Sequence, residues 1–264
     1  MLPAKRRARI IELLRREGAA SLRDMAGTLG ISLSTVRRDV EYLCRSGHLQ
    51  RTHGGAVLEA AALKSFEPDP EIASALASAE KLAIGERAAA LIQPNQTVIF
   101  DSGTTTGAAA LSARNRNIPF TAVTNDLRIG TVLSANGAIH TTVTGGYVRP
   151  GSPTLIGAAA AGMLGRLRAD IAFVGTHAVT EEFLRDTSTE LAEVKRTILD
   201  AADLVVLLAD SSKFLTSAFC IFGRLTDVNL IITDDGLKPD RAERIRALGI
   251  PVEFAVPLRP RQAP

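Results

Sequence analysis

The chain has 264 residues, enough for about two domains, and 46% hydrophobic content is sufficient for a substantial core. Aromatic residues make up 4% of the chain and Trp is absent, which argues against a protein that holds RNA or single strands by stacking bases on aromatic rings. The formal charge of +3 hides a polarised chain: residues 1–58 carry eleven basic and five acidic side chains, a net +6, and the remainder carries −3. Positive charge is thus concentrated where a polyanion would be held.

In chain order, an amphipathic pattern over about Ala4 to Glu17 supplies Ile10, Ile11, Leu13 and Leu14 as one wall of a small helical core. Ser21 can cap the next helix, with Asp24 in the capping-box place, and Leu22, Met25, Ala26 and Leu29 recur at helical spacing until Gly30 stops it. Ser32 can cap a second short helix whose Leu33, Val36, Val40 and Leu43 form an inward stripe. That orientation leaves Ser34, Thr35, Arg37, Arg38 and Glu41 outward, where the second helix of a helix-turn-helix meets base edges and phosphates in the major groove. Leu49 to Val57 reads as a two-stranded wing with its turn at Gly54-Gly55; Arg51 and His53 lie at its edge, Arg51 placed for a phosphate. The other reading, a small helical core with solvated arginines, does not explain the charge polarisation.

The segment STVRRDVEYLCRSGHLQRTHGGA is similar, nearly position for position, to the DNA-binding signature of the DeoR family of bacterial transcriptional regulators. The family's Ser-x-x-Thr-hydrophobic-Arg-Arg-Asp-Leu core falls on Ser32 and Thr35 to Val40, its Leu-x-x-x-Gly step on Leu43 and Gly47, and its Arg-x-His-Gly-Gly-Ala wing on Arg51 to Ala56. The resemblance implies a winged helix-turn-helix over residues 1–58 that binds double-stranded operator DNA.

Residues 59–80, Ala- and Glu-rich with Pro68 and Pro70, read as a linker with some helix toward their C-terminal side. From Lys81 onward, β-rich runs at Thr97–Phe100, Phe120–Val123, Ile139–Val143, Ile171–Val174, Leu204–Leu208, Leu230–Thr233 and Val252–Ala255 alternate with helical patterns. Residues 81–264 are therefore expected to form an open, mostly parallel α/β sheet, which binds ligands beyond the carboxyl ends of its strands. Asp101-Ser102-Gly103-Thr104-Thr105-Thr106 follows a strand and opens a helix, so unpaired N–H groups and threonine hydroxyls suit a phosphate; the alternative is an ordinary glycine turn. At another exit Asp210 can accept sugar hydroxyls and Lys213 can neutralise a phosphate. Thr124-Asn125, and Gly145-Gly146 followed by Arg149, add an amide, close backbone and a cation.

Together and in this order these exits resemble the sensor domain of the DeoR family, which implies a fold like that of ribose-5-phosphate isomerase and a phosphorylated sugar as effector. The carry-over residues are Asp101, Gly103, Thr104, Thr105 and Lys213, with Thr106, Asn125, Gly145, Gly146 and Asp210 on the same exits. Thr176-His177-Ala178-Val179 departs from the family's usual Asp/Asn-Gly step; His177 reads either as a substituted ligand contact or as a structural hydrogen-bonding residue. Glu190, Glu193 and Lys195 read either as functional groups or as a solvated helix face.

Cys44 and Cys220 lack CxxC spacing, so no zinc site or disulfide framework is signalled, and no cofactor or metal is expected. Lys5 to Arg9 lead straight into an amphipathic helix and no apolar run approaches membrane-spanning length, so a cytoplasmic protein with no membrane partner is expected. The leading function is a sugar-phosphate-responsive repressor acting as a homodimer or higher homo-oligomer on paired half-sites. The alternative is a sugar-phosphate isomerase with a DNA-binding appendage, which needs a poised general base that no motif here assigns.

Overall fold

The computed structural model describes residues 1–58 and 70–257. The chain divides into two units, Met1–Ser78 and Ala79–Pro264. In the first, α1 (Pro3–Glu17) leads through β1 (Ala19–Ser21) to α2 (Leu22–Leu29) and α3 (Leu33–Arg45), followed by β2 (Leu49–Thr52), β3 (Gly55–Leu58) and α4 (Pro70–Ala75). The caps fall where the sequence puts them: Ser21 Oγ accepts the Asp24 amide at 3.1 Å and Ser32 Oγ the Thr35 amide at 3.2 Å. Gly30 ends α2 in the left-handed region, φ 63°. Ile10, Leu14, Met25, Val36 and Leu43 are fully buried in one core.

Three expectations change. Leu33, placed in the inward stripe of α3, is 38% exposed because it is the first helical residue, ahead of the face that Val36, Val40 and Leu43 bury. The wing has three strands in the order β1-β3-β2, and its turn is His53-Gly54, since Thr52 pairs with Gly55. Gly54 takes φ +86°, whereas Gly55 lies in the strand so close to β1 that a Cβ would sit 2.3 Å from the Ala20 carbonyl oxygen.

The third change concerns the linker. Of residues 59–80, 59–69 lie outside the described residues, and α4 packs against α1, burying Ile72 and Leu76 in the core of the first unit. Glu12 Oε1 accepts the Ala77 amide at 3.0 Å. Each buried aliphatic contributes up to about 1.5–3 kcal/mol. A fragment ending at Ser78 is therefore expected to unfold at a clearly higher urea concentration than one ending at Leu58; equal midpoints would remove α4 from this core.

The second unit begins with α5 (Ser78–Ala89) and β4 (Thr97–Phe100), then α6 (Thr104–Asn115), β5 (Phe120–Thr124), α7 (Leu127–Ser134), β6 (Ile139–Val143), β7 (Tyr147–Val148), β8 (Leu155–Ile156) and α8 (Ala158–Leu164). It continues through β9 (Ala169–Gly175), β10 (Ala178–Val179), β11 (Phe183–Asp186), α9 (Thr189–Asp200), β12 (Ala202–Leu208), β13 (Cys220–Arg224), β14 (Leu230–Asp234), α10 (Pro239–Ala247) and β15 (Val252–Ala255). Seven strands form one parallel sheet in the order β15-β14-β12-β9-β4-β5-β6. Their near-continuous apolar runs follow from burial on both faces. Along β4, Val98 and Phe100 pack with α5, α6 and α7, and Ile99 packs with α8, α9 and α10. The shorter β10, β11 and β13 make a separate antiparallel sheet, and β7 and β8 a small hairpin.

The strand order fixes where a ligand belongs. From β4 the chain runs outward through β5 to β6, and from β9 it runs the other way through β12 and β14 to β15. The order reverses between β4 and β9, and the crevice beyond the carboxyl ends at such a switch point is the binding position of open α/β sheets.

Candidate functional site

On the first unit, the outward face of α3 carries Ser34, Arg37 and Arg38, all exposed, while Thr35 is half-buried with its hydroxyl 2.8 Å from that of Ser32. Arg51 on β2 and His53 in the wing turn are exposed, and Arg51 lies 3.6 Å from Glu41. Not all the positive charge of this unit faces outward. Asp39, 2% exposed on α3, takes ion pairs from Arg6 and, at 3.1 Å, from Arg7, and the Arg7 guanidinium lies 3.5 Å from the Tyr42 ring centroid. The Asp of the Arg-Arg-Asp motif thus fastens α1 to α3, so that Arg37 and Arg38 project from a fixed helix.

On the second unit, the predicted residues gather at the carboxyl end of the sheet. Gly103 caps α6 at φ 137° with no side chain to bond its amides, so the first N–H groups of a 12-residue helix point out of the strand end. Thr104 is half-exposed and Thr105 is buried; Thr106 is fully buried and its hydroxyl donates to the Gly103 carbonyl at 3.1 Å, which makes it a brace of the turn. Asp101, the residue after β4, is entirely buried.

Asp101 is held from β9 and α9, across the switch point. Its Oδ2 accepts the Gly175 amide at 3.0 Å and a hydrogen bond from Lys195 Nζ. The same ammonium donates to the Gly175 carbonyl at 2.8 Å and lies 3.5 Å from Asp186 Oδ2, at the end of β11. Burial alone would lower the Lys195 pKa; the charges of Asp101 and then Asp186 outweigh it and hold the amine above its ordinary range. Burial likewise pushes the Asp101 carboxyl up, against the pull of Lys195 and the Gly175 amide. One ammonium faces the carboxyl groups of both Asp101 and Asp186, so it does not cover every acceptor oxygen of the cluster. Lys195 is therefore no part of a solvated face. It occupies the apolar side of α9 with Leu191, Val194 and Ile198, and a lysine at a stripe position was the signal in the sequence.

The other predicted residues take different parts. Asn125 is buried after β5 and its Nδ2 donates to the Leu155 carbonyl at 3.3 Å, tying β8 to the site. Gly146, φ 118°, allows the backbone to approach β8, where a Cβ would lie 2.5 Å from the Ile156 oxygen; Gly145 beside it is exposed. Arg149 reaches across to Thr187 Oγ1 at 3.4 Å. Asp210, 2% exposed, caps the short 3-10 turn Ser211–Leu215 through the Ser212 amide at 3.2 Å, and Lys213 is half-buried in that turn. His177 joins the turn through its backbone, its amide donating to the Arg185 carbonyl at 3.2 Å and its carbonyl accepting from Thr216 Oγ1 at 3.2 Å.

A winged helix-turn-helix followed by a parallel α/β unit with an anion-suited crevice at its switch point defines a two-part regulator, one part for DNA and one for a small ligand. Residues 6–61 match the family model for a DeoR-like helix-turn-helix domain and residues 76–235 the one for a DeoR C terminal sensor domain. The chain belongs to the DeoR family of transcriptional regulators. It is 32% identical to a putative aga operon transcriptional repressor of Escherichia coli O157:H7, over 94% of this chain and 93% of that one. It is 33% identical to the transcriptional regulator GlpR of Haloferax volcanii, over 96% and 98%, and 30% identical to the lactose phosphotransferase system repressor of Lactococcus lactis, over 90% and 94%. Among solved structures, ribose 5-phosphate isomerase A of Methanocaldococcus jannaschii overlays 51% of this chain and 53% of its own, with 18% identity and a TM-score of 0.39. Among the described residues no helix is long and apolar enough to cross a membrane.

Proposed function

We propose that the chain is a cytoplasmic repressor of a carbohydrate operon that acts as a homodimer or higher homo-oligomer, is released from or retained on its operator by a phosphorylated sugar, and performs no turnover. Ser34, Thr35, Arg37 and Arg38 on α3 meet bases and phosphates in the major groove, and Arg51 and His53 meet the backbone beside it. At least a dimer follows from the two half-sites that such a reading head pairs with. In the sensor, phosphate lies on the amides of Thr104, Thr105 and Thr106, with Gly103, Gly145 and Gly146 allowing close backbone approach and Lys213 adding charge; Asp101, Asn125 and Asp210 surround the sugar. The observation that carries this reading is the uncapped N-terminus of α6 at the switch point, beside a buried carboxylate fixed by Lys195. Regulators of carbohydrate operons among the relatives support it, and their regulatory role over nearly full length weighs against the isomerase alternative.

The test is a mobility shift on duplex selected by the protein from a random pool, with sugar phosphates and the corresponding free sugars added. A phosphosugar should change operator binding and its free sugar should not, and Lys213→Ala or Thr105→Ala should lose that response while still binding DNA. A free sugar as effective as its phosphate would remove the phosphate site.

A further inference from the structure

The carboxyl edge of β4, β5 and β6 carries a row of buried oxygens without partners. Phe100 pairs with Thr124 and Thr124 with Val143, so Asp101, Asn125 and Thr144 are the next residues of three adjacent strands at one level. They are 0%, 1% and 4% exposed. Asp101 Oδ1, Asn125 Oδ1 and Thr144 Oγ1 each lack a hydrogen-bond partner among the described residues. Buried polar atoms are nearly always bonded, and an orphan costs stability, so three in register are a built feature. Each is also held in place: Asp101 by Lys195 and the Gly175 amide, Asn125 by its Nδ2 bond to Leu155, which fixes which amide atom faces away, and Thr144 by its backbone bond to the Thr124 carbonyl at 2.9 Å. Ile99 and Val123, two residues before Asp101 and Asn125, lie in the core shared with α8 and α9. Side chains alternate along a strand, so the row faces the same side as Lys195.

We infer that this row is the polyol-reading ledge of the sensor and sets its specificity, a deepening that rests on the phosphosugar reading above. Asp101 Oδ1 and Asn125 Oδ1 only accept hydrogen bonds, so the group laid on them must donate. Neighbouring strands are about 4.8 Å apart, which makes the ledge roughly 10 Å long. One hydroxyl cannot cover it, and a polyhydroxylated chain can. The phosphate of such a molecule sits three to five residues further on, at the start of α6, while a second carboxylate or phosphate on the ledge would meet the charge of Asp101. The ligand class is a neutral polyhydroxyl body with a single phosphate at one end. Lys195 is the positioning residue: it holds Asp101 Oδ2 and so leaves Oδ1 for the ligand.

Calorimetry on the full-length protein tests this with ribose 5-phosphate, fructose 6-phosphate, glucitol 6-phosphate and glycerol 3-phosphate, against inorganic phosphate and butyl phosphate, which has no hydroxyl. Wild type should bind at least one of the first four much more tightly than either control. Thr144→Val, which keeps the shape and removes only the hydroxyl, should weaken that ligand about tenfold or more and leave inorganic phosphate unchanged, and Asn125→Ala should weaken that ligand by at least as much. Thr144→Val should melt no lower than wild type, because it removes an orphaned hydroxyl, so its loss of binding is not a loss of fold. Variants that bind the chosen phosphosugar as wild type does, or butyl phosphate binding as tightly, overturn the ledge alone. If no phosphosugar binds wild type better than inorganic phosphate, the phosphosugar reading falls and the ledge with it.

Discussion

Replacing Lys195 with methionine is expected to destabilise the C-terminal unit by about 3–5 kcal/mol, because it strips the ammonium from two buried carboxylates and leaves Asp101 charged without a counterion. The pH dependence separates this cause from lost packing. In wild type the Lys195 pKa is raised, so the contribution of the pair is fully present below the unfolded lysine value of about 10.4 and is lost only as pH rises through the still higher folded value. In the methionine variant burial acts on Asp101 unopposed by Lys195 and raises its pKa further. A raised carboxyl favours the fold at low pH and loses that contribution as pH rises through its folded value, so the deficit of the variant should shrink on acidification. Urea unfolding at neutral pH and near pH 5, about one unit above the unfolded carboxyl value, measures both. A loss under about 1 kcal/mol, or a deficit that does not change with pH, would mean that the cluster is not an ion pair.

The other large effect falls on DNA. Arg37→Ala and Arg38→Ala should each weaken operator binding by about 1–3 kcal/mol, and the double variant by up to about the sum. Both side chains are exposed on α3, so the thermal transition should stay where it is. An arginine that meets a phosphate also lowers the slope of log affinity against log salt by about one, whereas one that reads a base relaxes sequence preference instead. Anisotropy titrations over a range of salt therefore assign each arginine its part. A double variant that binds as tightly as wild type would move the recognition surface off α3.

What the sequence reveals of this protein depends on how local the cause is. Leu127–Ser134, Thr97–Phe100 and Val252–Ala255 are read to the residue, because parallel strands buried on both faces and short helices between them leave apolar runs and capping residues in place. β1 and β10, of three and two residues, are too short to show a period, and each exists only because a distant segment, β3 or β11, pairs with it. The same holds at the site. Asp101, Gly103 and Asn125 stand at strand exits, a position legible from the chain itself. Lys195 meets Asp101 across 94 residues, and Asp186 joins them from β11, a strand with no pattern of its own. Thr144 is one threonine among several until the register aligns it with Asp101 and Asn125. In the DNA-binding unit the caps and the outward arginines were readable, but the role of Arg6 and Arg7 in holding Asp39 was not, since both look like ordinary surface cations before α1 is packed on α3.

Coupling between phosphosugar and operator is tested most directly by titrating the phosphosugar that alters operator binding into the full-length protein, with and without saturating operator duplex. Linkage requires the two affinity changes to be equal: if the phosphosugar weakens operator binding by some factor, typically about 5–150-fold for coupled sites, operator must weaken phosphosugar binding by that same factor. The predicted result is this reciprocal shift, present for the phosphosugar and absent for the corresponding free sugar. A phosphosugar affinity that is identical with and without operator would contradict it, whatever else the sensor binds.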